Sequence, residues 1–186
     1  MGGARIFQYR NKSGSMKEAY PEALILRKTA ADLGALFIVN DRCDLAMAVE
    51  ADGVHLGQND LPYADARTLL GADAIIGLST HNAAQVREAD ALKPSYIGFG
   101  PIFKPVSKSN HDPIVGIEGL QSIRVLTSLS IFAIGGIQLD HVHAVMRAGA
   151  NGVAVISAVL NASDVTKAVQ DLLEKIGQTS TTASTS

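Results

Sequence analysis

Seven short apolar runs, each followed by an amphipathic stretch, predict an α/β protein built as a (β/α)8 barrel that begins without its first βα unit. Three observations carry this. The runs are continuously apolar rather than alternating, as in parallel strands buried on both faces. They recur at an even spacing, which favours a barrel over an open doubly wound sheet. Polar residues and glycines gather where each run ends, the edge at which such barrels hold their chemistry.

The elements follow in order. Residues 5–10 read as a strand that starts almost at the first residue, and 11–14 as a polar loop. Residues 16–33 read as a long helix stopped by Gly34; Pro21 within it requires either a start near that proline or a bend. The strand 36–39 leads to the helix 45–50, and the strand 54–56 to the helix 62–70, stopped by Gly71. The strand 74–77 leads to the helix 83–92, with Pro94 beyond it. The strand 96–99 ends at Gly100-Pro101, and a polar loop, 104–115, precedes the helix 118–126. The strand 131–134 is followed by Gly135-Gly136 and the helix 139–148. The strand 152–156 and the helix 165–176 close the series. An eight-strand barrel closes with seven strands only with strain or a gap.

Composition narrows the function. The chain has 186 residues, 47% of them hydrophobic, enough for one domain with a full core over 1–177. Residues 178–186 are almost all Ser, Thr, Ala and Gln and read as a disordered tail. A net charge of −2 and the absence of Trp give no basis for nucleic acid or an anionic membrane as partner. The lone Cys43 excludes an internal disulfide and reads as a small buried hydrophobe. No apolar run reaches the ~20 residues that span a bilayer, and no signal-peptide core opens the chain, so the expected setting is the cytoplasm.

The strand ends supply the chemistry. Gln8, Arg10 and Lys12 alternate at the first; Asn40 and Asp41 stand at the second; Gln58 and Asp60 follow the third. Two hard carboxylates on consecutive strand ends, with room for waters, suit Mg²⁺ and a phosphorylated substrate, whereas either one alone reads as a cap or turn residue. Ser79 and His81 end the fourth strand, and the loop after the fifth carries Ser107 and Lys108. Gly135-Gly136 allows backbone N–H groups to approach a phosphate, and Ser157 adds a hydroxyl at another helix start. His55 reads as a strand residue that packs. His111, His141 and His143 read as surface residues. No spacing forms a Ser-His-Asp assembly or a dinucleotide fingerprint.

Seven motifs in order carry a family resemblance: Gln8-Tyr9-Arg10-Asn11-Lys12, Val39-Asn40-Asp41, Gly53-Val54-His55-Leu56-Gly57-Gln58-Asn59-Asp60, Ile76-Gly77-Leu78-Ser79-Thr80-His81, Tyr96-Ile97-Gly98-Phe99-Gly100-Pro101-Ile102-Phe103, Ile134-Gly135-Gly136-Ile137 and Val155-Ile156-Ser157. Over residues 4–176 the chain resembles the thiamine phosphate synthase family. The resemblance implies a TIM barrel and a transferase that joins 4-amino-5-hydroxymethyl-2-methylpyrimidine diphosphate to a thiazole phosphate, releasing pyrophosphate. It implies that the pyrimidine diphosphate ionises to a stabilised carbocation captured by the thiazole nitrogen. It further implies that Gln8, Arg10, Lys12 and Asn40 hold the pyrimidine diphosphate, and that Asp41 and Asp60 ligate Mg²⁺. Ser79 would contact the diphosphate, Lys108 would stabilise the leaving charge, and Ser107, Gly136, Ile156 and Ser157 would serve the thiazole phosphate. Arg10, Ser79 and Lys108 are the expected catalytic set.

Two departures from the family pattern stand out. The loop after Phe103 usually carries two hydroxyl residues before its lysine; Ser107 matches the second, while Pro105 replaces the first, so a few-fold weaker hold on thiazole phosphate is expected. The family's first strand and helix are missing, which leaves sheet edges unpaired. The expected consequences are low stability, homo-oligomerisation through the open edge, or an incomplete chain. The alternatives are a thiazole tautomerase-like protein, whose branch lacks the acidic pair, and a non-catalytic phosphate-ligand-binding remnant of the same barrel.

Overall fold

Apolar runs and amphipathic stretches become parallel strands and covering helices, in two compact bodies: residues 4–79, and residues 80–186 together with the first three. The computed structural model describes residues 2–104 and 112–182. Each body is α/β in itself.

The first body contains β1 (Ile6–Tyr9), α1 (Met16–Asp32), β2 (Leu36–Asn40), α2 (Cys43–Ala48), β3 (Gly53–Leu56), α3 (Tyr63–Leu70) and β4 (Ile75–Thr80), whose last residue falls in the second body. The strands pair in chain order and in parallel, with Phe7 opposite Phe37, Asn40 opposite His55, and His55 opposite Gly77. Phe37, Val39, Val54, Leu56 and Ile76 point into a core closed by the small side chains Ala19, Ala23, Ala30 and Ala66 of the helices. Alanines on the inner face of α1 let that helix lie close against the sheet. The helix starts at Met16, well before Pro21, because Glu18 turns back to accept hydrogen bonds from Ser15 N (2.9 Å) and Ser15 Oγ (2.8 Å). The cap, and not the proline, sets where α1 begins. Arg27 ties α1 to the sheet by donating to Glu50 O at 2.7 Å and pairing with Asp52, whose carboxylate accepts from Phe37 N.

The second body contains α4 (Ala83–Leu92), β5 (Tyr96–Phe99), α5 (Gly116–Arg124), β6 (Ile131–Ile134), α6 (Val142–Arg147), β7 (Gly152–Ala154), α7 (Ser157–Leu160) and α8 (Val165–Thr182). A 3-10 turn, Leu139–His141, leads into α6. Here too the strands pair in parallel, with Ile97 opposite Ile131 and Phe132 opposite Gly152. Ile97, Phe99, Leu120, Ile123, Ile131 and Val145 are fully buried. Asn82 caps α4 by accepting from Gln85 N.

Neither body is a closed eight-strand barrel, in line with the seven strands and the unpaired edge expected from sequence: among the described residues β1 pairs with β2 alone, and Ile6 and Phe7 are 46% and 44% exposed. The structure corrects other expectations. β1 ends at Tyr9, so Arg10 and Lys12 stand beyond the strand rather than along one face of it. β7 stops at Ala154, and the short α7 follows it where the sequence shows no turn signal. α8 runs to Thr182, into the stretch expected to be a disordered tail. Gln178 Nε2 donates to Glu174 Oε1 and Thr179 Oγ1 to Lys175 O, so polar residues extend the helix through their own side chains.

Candidate functional site

In the first body the residues after β1 are held by Asn11. Its Oδ1 accepts from Ser13 N and, at 2.7 Å, from Gly14 N, while its Nδ2 donates to Tyr9 Oη. Tyr9 Oη in turn donates to Glu22 on α1 at 2.7 Å. An Asx turn anchored on a helix thus fixes the short loop that carries Arg10 and Lys12. Both side chains are exposed, as is Gln8 on β1.

Asp41 follows β2 directly. Its backbone is left-handed, with φ 65°, a conformation that an Asp tolerates better than most residues. Its N–H donates to His55 O at 2.8 Å, which locks the turn to β3. Lys12 Nζ lies 3.5 Å from Asp41 Oδ2. Asp60 closes the turn after β3, its Oδ2 accepting from Gly57 N at 2.6 Å. Burial first, and then the facing Asp60 carboxylate, push the Asp41 carboxyl above the usual range, with Lys12 pulling partly the other way. The two acids expected from sequence are therefore brought together, with Lys12 beside them. Asn40 is half-buried at the end of β2, in register with His55.

Ser79, near the end of β4, is gripped twice from β3 and its following turn. His55 Nε2 lies 2.8 Å from Ser79 Oγ, and Gln58 Nε2 donates to Ser79 O at 2.6 Å. His55 is only 7% exposed, and burial pushes its imidazole down to about 4. A packing role alone does not describe it. The link to Ser79 depends on the register of β3 on β4, which no local pattern in the sequence carries.

In the second body the turn after β6 is made of two glycines. Gly135 and Gly136 follow β6 with φ 88° and φ 65°. Ile102 N donates to Ile134 O and Phe103 N to Gly135 O, so residues 101–103 run alongside this turn. A Cβ at Gly136 would lie 2.6 Å from Lys104 O and 2.7 Å from Phe103 O. Phe103 stacks on His141 with ring centroids 4.0 Å apart, and His141 Nδ1 accepts from Gln138 N. His141 is thus half-buried, one ring face stacked on Phe103 beside the glycine turn. Ile156, 54% exposed, is the N-cap of α7, and Ser157 is its first residue. His81 Nδ1 lies 2.6 Å from Gly100 O, which orients the ring on the β5 end. Ser107 and Lys108, together with Pro105 and His111, lie outside the described residues. Among the described residues no group of three or more His, Cys, Asp or Glu side chains that could hold a metal ion comes together.

Comparison with known proteins gives consistent results. A family profile described as thiamine monophosphate synthase matches residues 1–159. The chain is 46% identical over 172 residues to a thiamine-phosphate synthase of Chloroflexus aurantiacus, covering 92% of this chain and 79% of that one. It is 44% identical over 175 residues to a thiamine-phosphate synthase of Moorella thermoacetica, covering 94% and 83%. It is also similar to the solved structure of a thiamine phosphate pyrophosphorylase from Pyrococcus furiosus, with a TM-score of 0.87 and 36% identity over 96% of this chain and 85% of that one.

Proposed function

The chain belongs to the thiamine monophosphate synthase family and has that family's transferase activity; we propose that it joins 4-amino-5-hydroxymethyl-2-methylpyrimidine diphosphate to a thiazole phosphate through the residues laid out above. The observation that carries the assignment of roles is the Asp41–Asp60 pair with Lys12 against it. Departure of a diphosphate gathers negative charge on its oxygens, so the site must supply positive charge where the bond breaks.

The acidic pair fits a divalent cation. Two hard oxygen donors face each other, one is held above its usual range, and an ammonium group already sits beside them. Asp41 and Asp60 would hold Mg²⁺, which when bound would neutralise charge on the leaving diphosphate. Gln8, Arg10, Lys12 and Asn40 hold the pyrimidine diphosphate in this reading. Ser79 donates its hydroxyl to a diphosphate oxygen, and Lys108 meets the leaving charge. Gly136, Ser107, Ile156 and Ser157 hold the thiazole phosphate, with backbone N–H groups of the glycine turn as donors. No strong general base is needed, because the nitrogen nucleophile carries its own lone pair.

We read the α/β fold as a TIM (β/α)8 barrel lacking its first βα unit, a reading supported by the likeness to the Pyrococcus furiosus structure. Among the described residues no helix is long and apolar enough to cross a membrane. Small phosphorylated molecules in the cytoplasm are the partners this reading assigns.

The test is formation of thiamine phosphate and pyrophosphate from the two substrates, followed with and without Mg²⁺. Turnover that needs Mg²⁺ supports the proposal. Turnover unaffected by a chelator overturns the metal role of the acidic pair, and thiazole phosphate binding without turnover overturns the assigned catalysis.

A further inference from the structure

We infer that His55 is a positioning residue that donates from Nε2 to Ser79 Oγ and so leaves the Ser79 proton to be given to an anionic oxygen of the diphosphate. The inference rests on the reading that Ser79 binds the diphosphate.

A serine hydroxyl has one proton and two acceptor sites. At 2.8 Å from His55 Nε2 it is in a full hydrogen bond, and that bond has two possible directions. If the ring accepts, the single proton of Ser79 is spent on the ring, and only lone pairs face outward. Diphosphate oxygens only accept, so such a serine repels them. If the ring donates, the proton is available. An anion at Ser79 therefore selects a ring that carries hydrogen on Nε2, whether the imidazole is neutral or charged.

The surroundings keep both partners in place. His55 is nearly fully buried, paired with Asn40 on one side and Gly77 on the other, and its carbonyl accepts from Asp41 N. Gln58 holds the Ser79 carbonyl at 2.6 Å. The Ser79 backbone is thus held in place, and its hydroxyl lies within hydrogen-bond distance of the ring. One strand and its turn convert an ambivalent hydroxyl into a fixed donor.

The test measures binding of inorganic pyrophosphate by calorimetry at fixed Mg²⁺, alongside kcat and KM, for His55→Leu, His55→Gln, Ser79→Ala and the His55→Leu/Ser79→Ala double variant. Loss of one hydrogen bond to a charged group is expected to weaken pyrophosphate binding roughly tenfold or more in His55→Leu and in Ser79→Ala. The double variant is expected to be no weaker than Ser79→Ala alone. His55→Gln, whose amide places a donor near Nε2, is expected to recover most of the binding. His55→Asn, whose amide stops short, replaces His55→Leu if that variant does not fold. Nitrogen chemical shifts of the wild-type ring with pyrophosphate are expected to show hydrogen on Nε2. Hydrogen on Nδ1 alone, or a His55→Leu penalty of equal size with and without Ser79, overturns the inference. Wild-type pyrophosphate binding by Ser79→Ala overturns the underlying placement of Ser79, and the inference with it.

Discussion

Asp41 and Gly136 follow parallel strands in different bodies of the chain, and each has φ 65°. The same backbone conformation is met once by an aspartate and once by a glycine. At 136 a Cβ would meet carbonyl oxygens of Lys104 and Phe103 inside 3 Å, so only glycine fits. At 41 the left-handed residue carries a carboxylate, which stands beside that of Asp60. In the function proposed above, the first body contributes Gln8, Arg10, Lys12, Asn40, Asp41, Asp60 and Ser79, and the second the glycine turn together with Ser107, Lys108, Ile156 and Ser157. Side-chain sites are vulnerable to loss of charge, and backbone sites to gain of bulk.

The largest expected effect tests the charged side. Asp41→Ala and Asp60→Ala should each lower kcat by about 10²- to 10³-fold, the scale of losing one preorganised charge-stabilising group. Asp41→Ala should also cost about 1–3 kcal/mol of stability, because φ 65° strains an alanine, and Asp60→Ala loses the acceptor for Gly57 N. Asp41→Asn and Asp60→Asn keep both turns, so they should lose activity without a fall in melting temperature. Steady-state product formation and a thermal melt check this together. Loss of folding in step with activity in the asparagine variants would break the contrast, because the acids would then be structural.

Acid sensitivity should also belong chiefly to the first body. His55 is held down to about 4 by burial, against an ordinary value of 6.5, so its folded-state pKa is depressed. The stability it lends is complete above pH 6.5 and is lost as pH falls towards 4, where the unfolded chain takes up a proton that the native one refuses. The loss is roughly 3 kcal/mol over that window. Asp41 runs the other way: its raised carboxyl favours the fold at low pH, and that contribution fades as pH rises through its folded value. In the second body the described groups with shifted values are Asp90, lowered chiefly by the hydrogen bonds from Lys93 and Thr127, and Lys167, raised chiefly by Asp171. Asp90 adds a loss of stability as pH falls through its lowered value, but without the burial that drives His55. Melting temperatures from pH 7 to pH 4 should fall in wild type and flatten in His55→Gln. An unchanged slope would remove His55 as the cause.

Gly136→Ala tests the backbone side. The added Cβ has no room, and φ 65° strains an alanine, so a loss of about 1–3 kcal/mol in stability is expected. Thiazole phosphate should bind more weakly, with the KM of the pyrimidine diphosphate unchanged. Substrate-varied kinetics separates the two, and a rise in both KM values would show that the glycine turn serves both substrates.

What was legible in the sequence follows the same division. The strands Tyr96–Phe99 and Ile131–Ile134 are bounded by Pro94, Gly100 and Gly135, and their limits can be read to the residue. Asp41, Asp60 and Gly136 are legible because their residue types stand at strand ends. His55 is not, because its partner Ser79 is supplied by the register of a neighbouring strand. The helix read from residue 16 does start there, ahead of Pro21, on the Ser15–Glu18 box, whereas composition misled at the C-terminus, where side-chain bonds at Gln178 and Thr179 accompany α8 onward. The four-residue α7 has too few positions for any period to appear.

The smallest expected effect isolates what the carboxylate at 41 costs the fold. Asp41→Asn keeps a side chain that tolerates the left-handed region, so the backbone term cancels. It removes an ionised group that burial and Asp60 both disfavour, which stabilises. It also removes the Lys12 pair, but Lys12 is 58% exposed and its pairing contributes at most a fraction of a kcal/mol in water. The balance should be a gain of up to about 1 kcal/mol at neutral pH, fading as pH falls and the wild-type carboxyl takes up its own proton. Denaturant melts at pH 7 and pH 4 measure that difference, and activity should be lost throughout. A variant less stable than wild type at pH 7 would mean that Lys12 holds Asp41 more firmly than their 3.5 Å separation implies. In that case the acid at 41 would be supported by the fold in the way Gly136 is, and the contrast between the two strand ends would narrow to residue size alone.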